Sequence, residues 1–155
     1  MVHPNGQPGE HGVVVTPRAS SVIVLDGADV ILARQARYAV DETVLEIVKG
    51  GAGPGEEPRA AAERELREEL GIAAGRWDEL GNIYEIPSIM QEPIWLFLAR
   101  DIHAVQSDQE DVESIDAVRM SFRAAYLAAA RGELKDAVTA VALMRLAQFL
   151  EDERR

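Results

Sequence analysis

The sequence contains no cysteine, which excludes a disulfide framework and a zinc–thiolate site. It also has no long apolar run: residues 94–99, for example, are far too short to span a bilayer. The N-terminus lacks a charged segment followed by an apolar stretch, so no secretory signal is predicted. We therefore expect a cytoplasmic protein.

Basic residues are scarce, with 16 Lys and Arg against 27 Asp and Glu and a formal net charge of −11. This balance argues against duplex nucleic acid and anionic membranes as partners, because few cations are available to neutralise phosphates. A small anionic substrate remains compatible with the charge if a metal ion and a few arginines offset the field locally.

The 155 residues predict a single domain, since they are 47% hydrophobic and 28% charged, as in ordinary globular proteins. Residues 1–12 are rich in Pro, Gly and His and are predicted to form a flexible arm. The domain is expected to span residues 13–150, and residues 151–155 to form a charged tail.

Short β-branched and apolar runs predict a series of strands, with a hairpin turn at Asp26-Gly27. The expected strands are residues 13–15, 21–25, 30–33, 43–48, 80–86, 94–99 and 117–120. The last third is helical in pattern, with Ser121 capping a helix to Arg131 and Asp136 capping another to about Leu150. These elements predict an α/β fold with a mixed sheet flanked by helices.

The most informative segment is residues 50–72. Its glycines and Pro54 predict a loop, Pro58 suits a first helical turn, and Gly71 suits a helix end. Three carboxylates, Glu65, Glu68 and Glu69, then lie at i, i+3 and i+4 on one helix face. Such a face is often simply solvated, but a divalent cation would remove the repulsion between the carboxylates.

This segment fits the Nudix box, G-x5-E-x7-R-E-U-x-E-E-x-G-U with U aliphatic, at every fixed position. The matching residues are Gly50, Glu56, Arg64, Glu65, Leu66, Glu68, Glu69, Gly71 and Ile72. The chain therefore resembles a Nudix hydrolase. That resemblance implies an α/β/α sandwich with a mixed sheet and metal-dependent cleavage of a phosphoanhydride.

The resemblance also implies residue roles. Glu65, Glu68 and Glu69 would hold Mg²⁺, with Mn²⁺ as the alternative metal, and the backbone carbonyl of Lys49 would complete the site. Arg64 would pair with Glu56 to orient these ligands.

Other segments are similar to ADP-ribose pyrophosphatases, which release AMP and a phosphorylated X group from ADP-X. Residues 34–38 resemble R-Q-x-R-Y, residues 132–139 resemble G-x-I-x-D-A-x-T, and Pro87 lies 15 residues after the box. Arg34 and Arg37 are candidates for gripping the substrate, because Arg binds phosphate with two parallel hydrogen bonds, although either arginine could be a surface charge. Lys49 departs from the subgroup pattern, and together with the Pro87-Ser88 loop it more closely resembles a related branch that hydrolyses several ADP-linked compounds, including NADH and diadenosine polyphosphates.

Three further expectations follow from the resemblance. The general base is predicted in the acidic segment 107–114, with Glu113 favoured over Glu110, although such a run can equally be a solvated loop. A homodimer is expected, with residues 1–45 long enough to complete the partner's site. A nucleoside triphosphatase and a non-catalytic nucleotide-binding module remain alternatives, the second disfavoured because the chain keeps all the box glutamates.

Overall fold

The computed structural model describes residues 1–106 and 115–155. Within these residues seven strands and three helices follow one another along the chain. They are β1 Ala19–Asp26, β2 Asp29–Arg37, β3 Glu42–Glu46, β4 Val48–Gly51, α1 Pro58–Leu70, β5 Ile72–Ile83, β6 Ile94–Ala104, β7 Ile115–Ser121, α2 Phe122–Ala130 and α3 Ala137–Asp152.

The strands form one mixed sheet in the order β3-β2-β1-β6-β5, with β4 also pairing with β1 and β7 with β2. The β1–β2 hairpin is tight because Gly27 adopts a φ of +62°, which glycine accommodates without strain. β1 runs parallel to β6, whereas the other strand pairs are antiparallel.

Helices cover both faces of the sheet. Alternate residues of β1 point to opposite sides, so Ile23 packs in a cluster with Leu143 and Leu146 of α3, while Val22 packs with Leu66 of α1. The arrangement is an α/β/α sandwich, which confirms the predicted fold class.

Two predicted strands are wrong in detail. Residues 13–15 form no strand, and only Val14 makes an isolated bridge, to Met90, because its partner is a short loop rather than a sheet edge. The strand expected at residues 43–48 is two strands that break at Ile47. There the backbone N–H donates to Thr139 Oγ1 at 2.9 Å, and the chain changes from pairing with β2 to pairing with β1.

The pair β5–β6 also differs from the sequence prediction. β5 begins at Ile72 rather than at residue 80 and ends at Ile83, and β6 continues to Ala104. The early part of β5 contains small residues and Gly75, which give no alternating pattern, and its conformation is set by antiparallel pairing with β6.

Both predicted helix caps in the last third are confirmed. Ser121 Oγ accepts the N–H of Ala124 at 3.2 Å, and Asp136 Oδ2 accepts the N–H of Thr139 at 2.8 Å. α3 continues through Asp152, two residues beyond the expected end. Among the described residues no helix has the length and apolar character needed to cross a membrane.

Candidate active site

α1 carries the glutamates of the box. Pro58 lies in its first turn, and Gly71 ends it in the left-handed conformation, with its N–H bonded to the Arg67 carbonyl at 2.9 Å. Ala62 and Leu66 are fully buried against the sheet. The glutamates of the box therefore lie at the edge of the helix, where they line a cleft and are only half-buried.

This box cleft has a volume of about 260 Å³. Its lining consists of Gln35, Arg37, Lys49, Gly50, Gly51, Arg64, Glu65, Glu68 and Glu69. The glycine-rich loop lies directly against the helix, because a Cβ added at Gly50 would fall within 3.0 Å of all three carboxyl atoms of Glu65. Gly50 is therefore required for a close approach between backbone and carboxylate.

Arg64 is at the centre of the charges in the box cleft. Its guanidinium hydrogen-bonds Glu56 at 3.1 Å, Glu65 at 2.9 Å, Glu68 at 2.7 Å and the Gly51 carbonyl at 2.8 Å. The hydrogen bonds to Glu56 are the main reason that the pKa of Arg64 is raised. Burial acts in the opposite direction but is outweighed. In return Arg64, followed by the Gly53 N–H at 2.7 Å, lowers the pKa of Glu56.

The donor set of the box cleft suits a hard divalent cation. Three carboxylates line one small space, and a backbone segment approaches one of them with no intervening side chain. The carboxylates are not converged: in the described parts of the chain, no three Asp, Glu, His or Cys side chains are grouped closely enough to hold a metal. The Arg64 guanidinium bonds Glu65 and Glu68, so it offsets part of the repulsion between these carboxylates.

A broad cleft of about 590 Å³ adjoins the box cleft. Arg37, Lys49 and Gly50 line both spaces. The broad cleft is also lined by Val40, Glu85 and Ile94. The two clefts are therefore continuous, and together they can hold an elongated ligand.

Two charged residues that the sequence prediction did not assign to the site, Glu46 and Asp136, form the floor of the clefts together with Arg37 and Lys49. Glu46, only 2% exposed, accepts Arg37 at 2.6 Å and Lys49 at 2.8 Å, and Lys49 also reaches Asp136 at 2.6 Å. Burial disfavours the Lys49 ammonium, but Asp136 and Glu46 outweigh it and raise the pKa of Lys49. Burial likewise opposes the Asp136 charge, yet Lys49 lowers the pKa of Asp136. One feature of the sequence could have indicated these partners. Lys49 directly follows the apolar residues Ile47 and Val48, and a lysine that is buried with such neighbours needs a carboxylate partner.

Two of the predicted site residues, Arg34 and Pro87, line neither cleft. Arg34 is exposed and faces the opposite side of β2 from Gln35 and Arg37, because side chains alternate along a strand. Pro87 lies on an exposed loop and lines neither cleft. Glu110 and Glu113, the predicted bases, lie outside the described residues.

Comparisons with known proteins agree with this arrangement. A family model of the NUDIX domain matches residues 15–141. The chain is 30% identical over 146 residues to an ADP-ribose pyrophosphatase from Bacillus subtilis (strain 168), covering 92% of this chain and 79% of the relative. It is 26% identical over 146 residues to a methanol dehydrogenase activator from Bacillus methanolicus, with the same coverage.

A solved structure shares the fold. A crystal structure of an ADP compounds hydrolase superposes with a TM-score of 0.77 at 23% identity, covering 88% of this chain and 76% of that one.

Proposed function

The chain belongs to the Nudix hydrolase family, and on this premise we propose that it hydrolyses ADP-linked compounds, with Mg²⁺, to AMP and a phosphorylated X group. The observation that carries the proposal is the junction of the two clefts at Arg37, Lys49 and Gly50. It gives space for a nucleoside or sugar beside a carboxylate-lined space for the diphosphate. The similarity to an ADP-ribose pyrophosphatase supports the ADP half.

The metal would be held by Glu65, Glu68, Glu69 and the carbonyl of Lys49. When bound, it would lower the pKa of a water and neutralise charge on the phosphoryl oxygens. A water oxygen adds to one phosphorus of the bridge, the P–O bond to the bridging oxygen breaks, and the other phosphate leaves with that oxygen.

The chain's own residues orient this reaction. Arg37 lines both clefts, and we propose that its guanidinium, held by Glu46, contacts the diphosphate with parallel N–H donors. Arg64 and Glu56 tie the glycine-rich loop to α1 through the Gly51 carbonyl. The proton of the attacking water would pass to a carboxylate outside the metal set, for which Glu113 and then Glu110 are proposed.

We also propose that two copies pair through the N-terminal segment. Val13, Val14 and Val15 are 48%, 51% and 74% exposed, and Ile86 and Ile89 on the adjoining loop are each 42% exposed. His11 and Val14 hold the two segments together through hydrogen bonds to Ser88 and Ile89 carbonyls. Sedimentation of the wild type and of a Val15→Asp variant tests this, and two monomeric proteins would refute it.

A substrate panel tests the reaction. The protein is incubated with Mg²⁺ or Mn²⁺ and, separately, ADP-ribose, NADH, a diadenosine polyphosphate, GDP-mannose and nucleoside triphosphates, and products are separated by chromatography. We expect AMP from an ADP-linked compound, with turnover well above that of any triphosphate. Pyrophosphate release from a triphosphate as the fastest reaction would assign a different substrate class. Absence of turnover throughout, with metal bound, would favour the non-catalytic alternative.

A further inference from the structure

We propose that Asp136, the N-terminal cap of α3, is a positioning residue for the metal site, and that it acts through the side chain of Lys49. This inference rests on the proposed function for the location of the metal. α3, the helix that Asp136 caps, packs on the opposite side of the sheet from α1.

The backbone changes its pairing partner at Ile47. β3 pairs with β2 up to Glu46, and β4 pairs with β1 from Val48, so at Ile47 the chain transfers from one partner strand to another. The Ile47 N–H is bonded to the fully buried Thr139 Oγ1 of α3 instead of to a strand. The start of α3 therefore holds the chain at this transfer.

The Asp136 carboxylate is connected to the chain on both sides of Ile47. Asp136 Oδ2 accepts the Thr139 hydroxyl at 2.6 Å and the Thr139 N–H at 2.8 Å, which orients the hydroxyl that binds Ile47. Asp136 Oδ1 accepts the Lys49 ammonium at 2.6 Å. A change at Asp136 thus acts on the residues before and after the transfer.

The charged groups around Lys49 are largely buried. The side chains of Lys49 and Asp136 are 18% and 12% exposed, and that of Glu46 is 3% exposed. Removing one partner from such a set leaves a poorly solvated charge that must find new partners. Without Asp136, the Lys49 ammonium would keep only Glu46 of its two carboxylate partners, and its side chain would shift and pull on the attached backbone.

Lys49 is directly connected to the box through the backbone. Lys49 is followed directly by Gly50, whose backbone lies against the Glu65 carboxylate with no space for even one added carbon. β4 is short, pairing with β1 over four residue pairs, and Arg64 ties its last residue to α1 through the Gly51 carbonyl. A shift at Lys49 is therefore transmitted to the carbonyl and to Glu65, both of which are proposed metal ligands.

The test measures metal binding in the full chain without substrate, by titrating Mn²⁺ and following free Mn²⁺ by electron paramagnetic resonance. Asp136→Asn and Lys49→Met should each weaken Mn²⁺ binding by about 10- to 100-fold, the usual effect of losing a group that orients metal ligands. Lys49→Met leaves the Asp136–Thr139 cap intact, so it tests the linkage even if Asp136→Asn folds poorly. Lys49→Arg should recover most of the affinity.

Ser121→Ala is the matched control, because Ser121 caps α2 in the same way but lines neither cleft. It should lower the melting temperature yet keep Mn²⁺ affinity within about threefold of the wild type, since a lost cap costs only about 1 kcal/mol of stability. The double variant of Asp136 and Lys49 should be no weaker than the worse single variant, because the two residues act in one linkage.

Mn²⁺ affinity in Asp136→Asn and Lys49→Met equal to that of Ser121→Ala would overturn the proposal, and so would fully additive losses in the double variant. Because no substrate is present, these outcomes are distinct from failure of the proposed reaction, which the substrate panel reports separately.

Discussion

Replacing Gly50 with alanine should separate activity from stability. The added Cβ would lie within 3.0 Å of every carboxyl atom of Glu65, so the carboxylate must retreat by more than about 1 Å to reach an ordinary contact at 3.4 Å or beyond. A misplacement of about 1 Å at a catalytic centre can cost on the order of 100-fold in rate. We therefore expect Gly50→Ala to lower kcat at least ~100-fold.

Stability should change little in this variant. Forcing a side chain away from its preferred rotamer costs roughly 0.5–1.5 kcal/mol. Alanine offsets part of this by restricting the unfolded chain, an effect of about 0.4–1 kcal/mol, since Gly50 does not have a positive φ. The net change is about 1 kcal/mol or less, which corresponds to a shift in Tm of roughly 2–4 °C at most for a chain of this size.

The assay combines AMP release at saturating Mg²⁺ with Mn²⁺ titration and thermal unfolding. Gly75→Ala in β5 is the control, because its Cβ would make only an ordinary 3.5 Å contact with Asp101, and it should keep activity within about twofold. Wild-type kcat in Gly50→Ala would refute the role of this close approach. A Tm loss of more than about 10 °C would instead attribute the lost activity to a damaged fold.

Three further predictions concern other carboxylates. Glu69→Gln should lower kcat at least ~100-fold in the AMP assay, whereas Glu63→Gln, which loses only an exposed pair with Arg59, should stay near wild type. Equal losses would point to general instability. Glu113→Gln should lower kcat by ~10²–10⁴-fold with Mn²⁺ affinity unchanged, and full activity would exclude it as the base. Glu153→Gln should be less stable than wild type in urea above about pH 4.5, because hydrogen bonds, chiefly from Arg100, lower the pKa of Glu153. That difference should shrink as pH falls through the lowered pKa, and a constant difference would contradict the assignment.

The sequence predicted best where structure is determined locally. The limits of α1 follow from Pro58 and Gly71, which act within one turn of their own positions. The caps Ser121 and Asp136 are likewise local and were predicted correctly. Family membership also followed from one continuous segment, whose spacing is visible without any tertiary contact.

The features that could not be predicted depend on distant partners. The break at Ile47 exists because Thr139, far along the chain, offers a hydroxyl to its N–H. The floor of the clefts required Lys49 to meet Asp136, a contact between residues on separate elements. Arg34 and Arg37 look equivalent in the sequence, and only the orientation of β2 in the sheet separates the exposed arginine from the one that lines the clefts.

The parallel pairing of β1 with β6 has a consequence for biosynthesis. Ala19 of β1 lies opposite Ile94 of β6. The central strand β1 therefore cannot complete its pairing until β6 has been synthesised, which happens only after the whole of α1. The apolar side of α1 is completed by Phe97 and Ala99 of β6. Until Phe97 and Ala99 have left the ribosome, Leu66 lacks part of the core against which it packs. During that time the nascent chain exposes apolar surface of the kind that chaperones bind. The helix that carries the box glutamates is therefore translated early but becomes packed late.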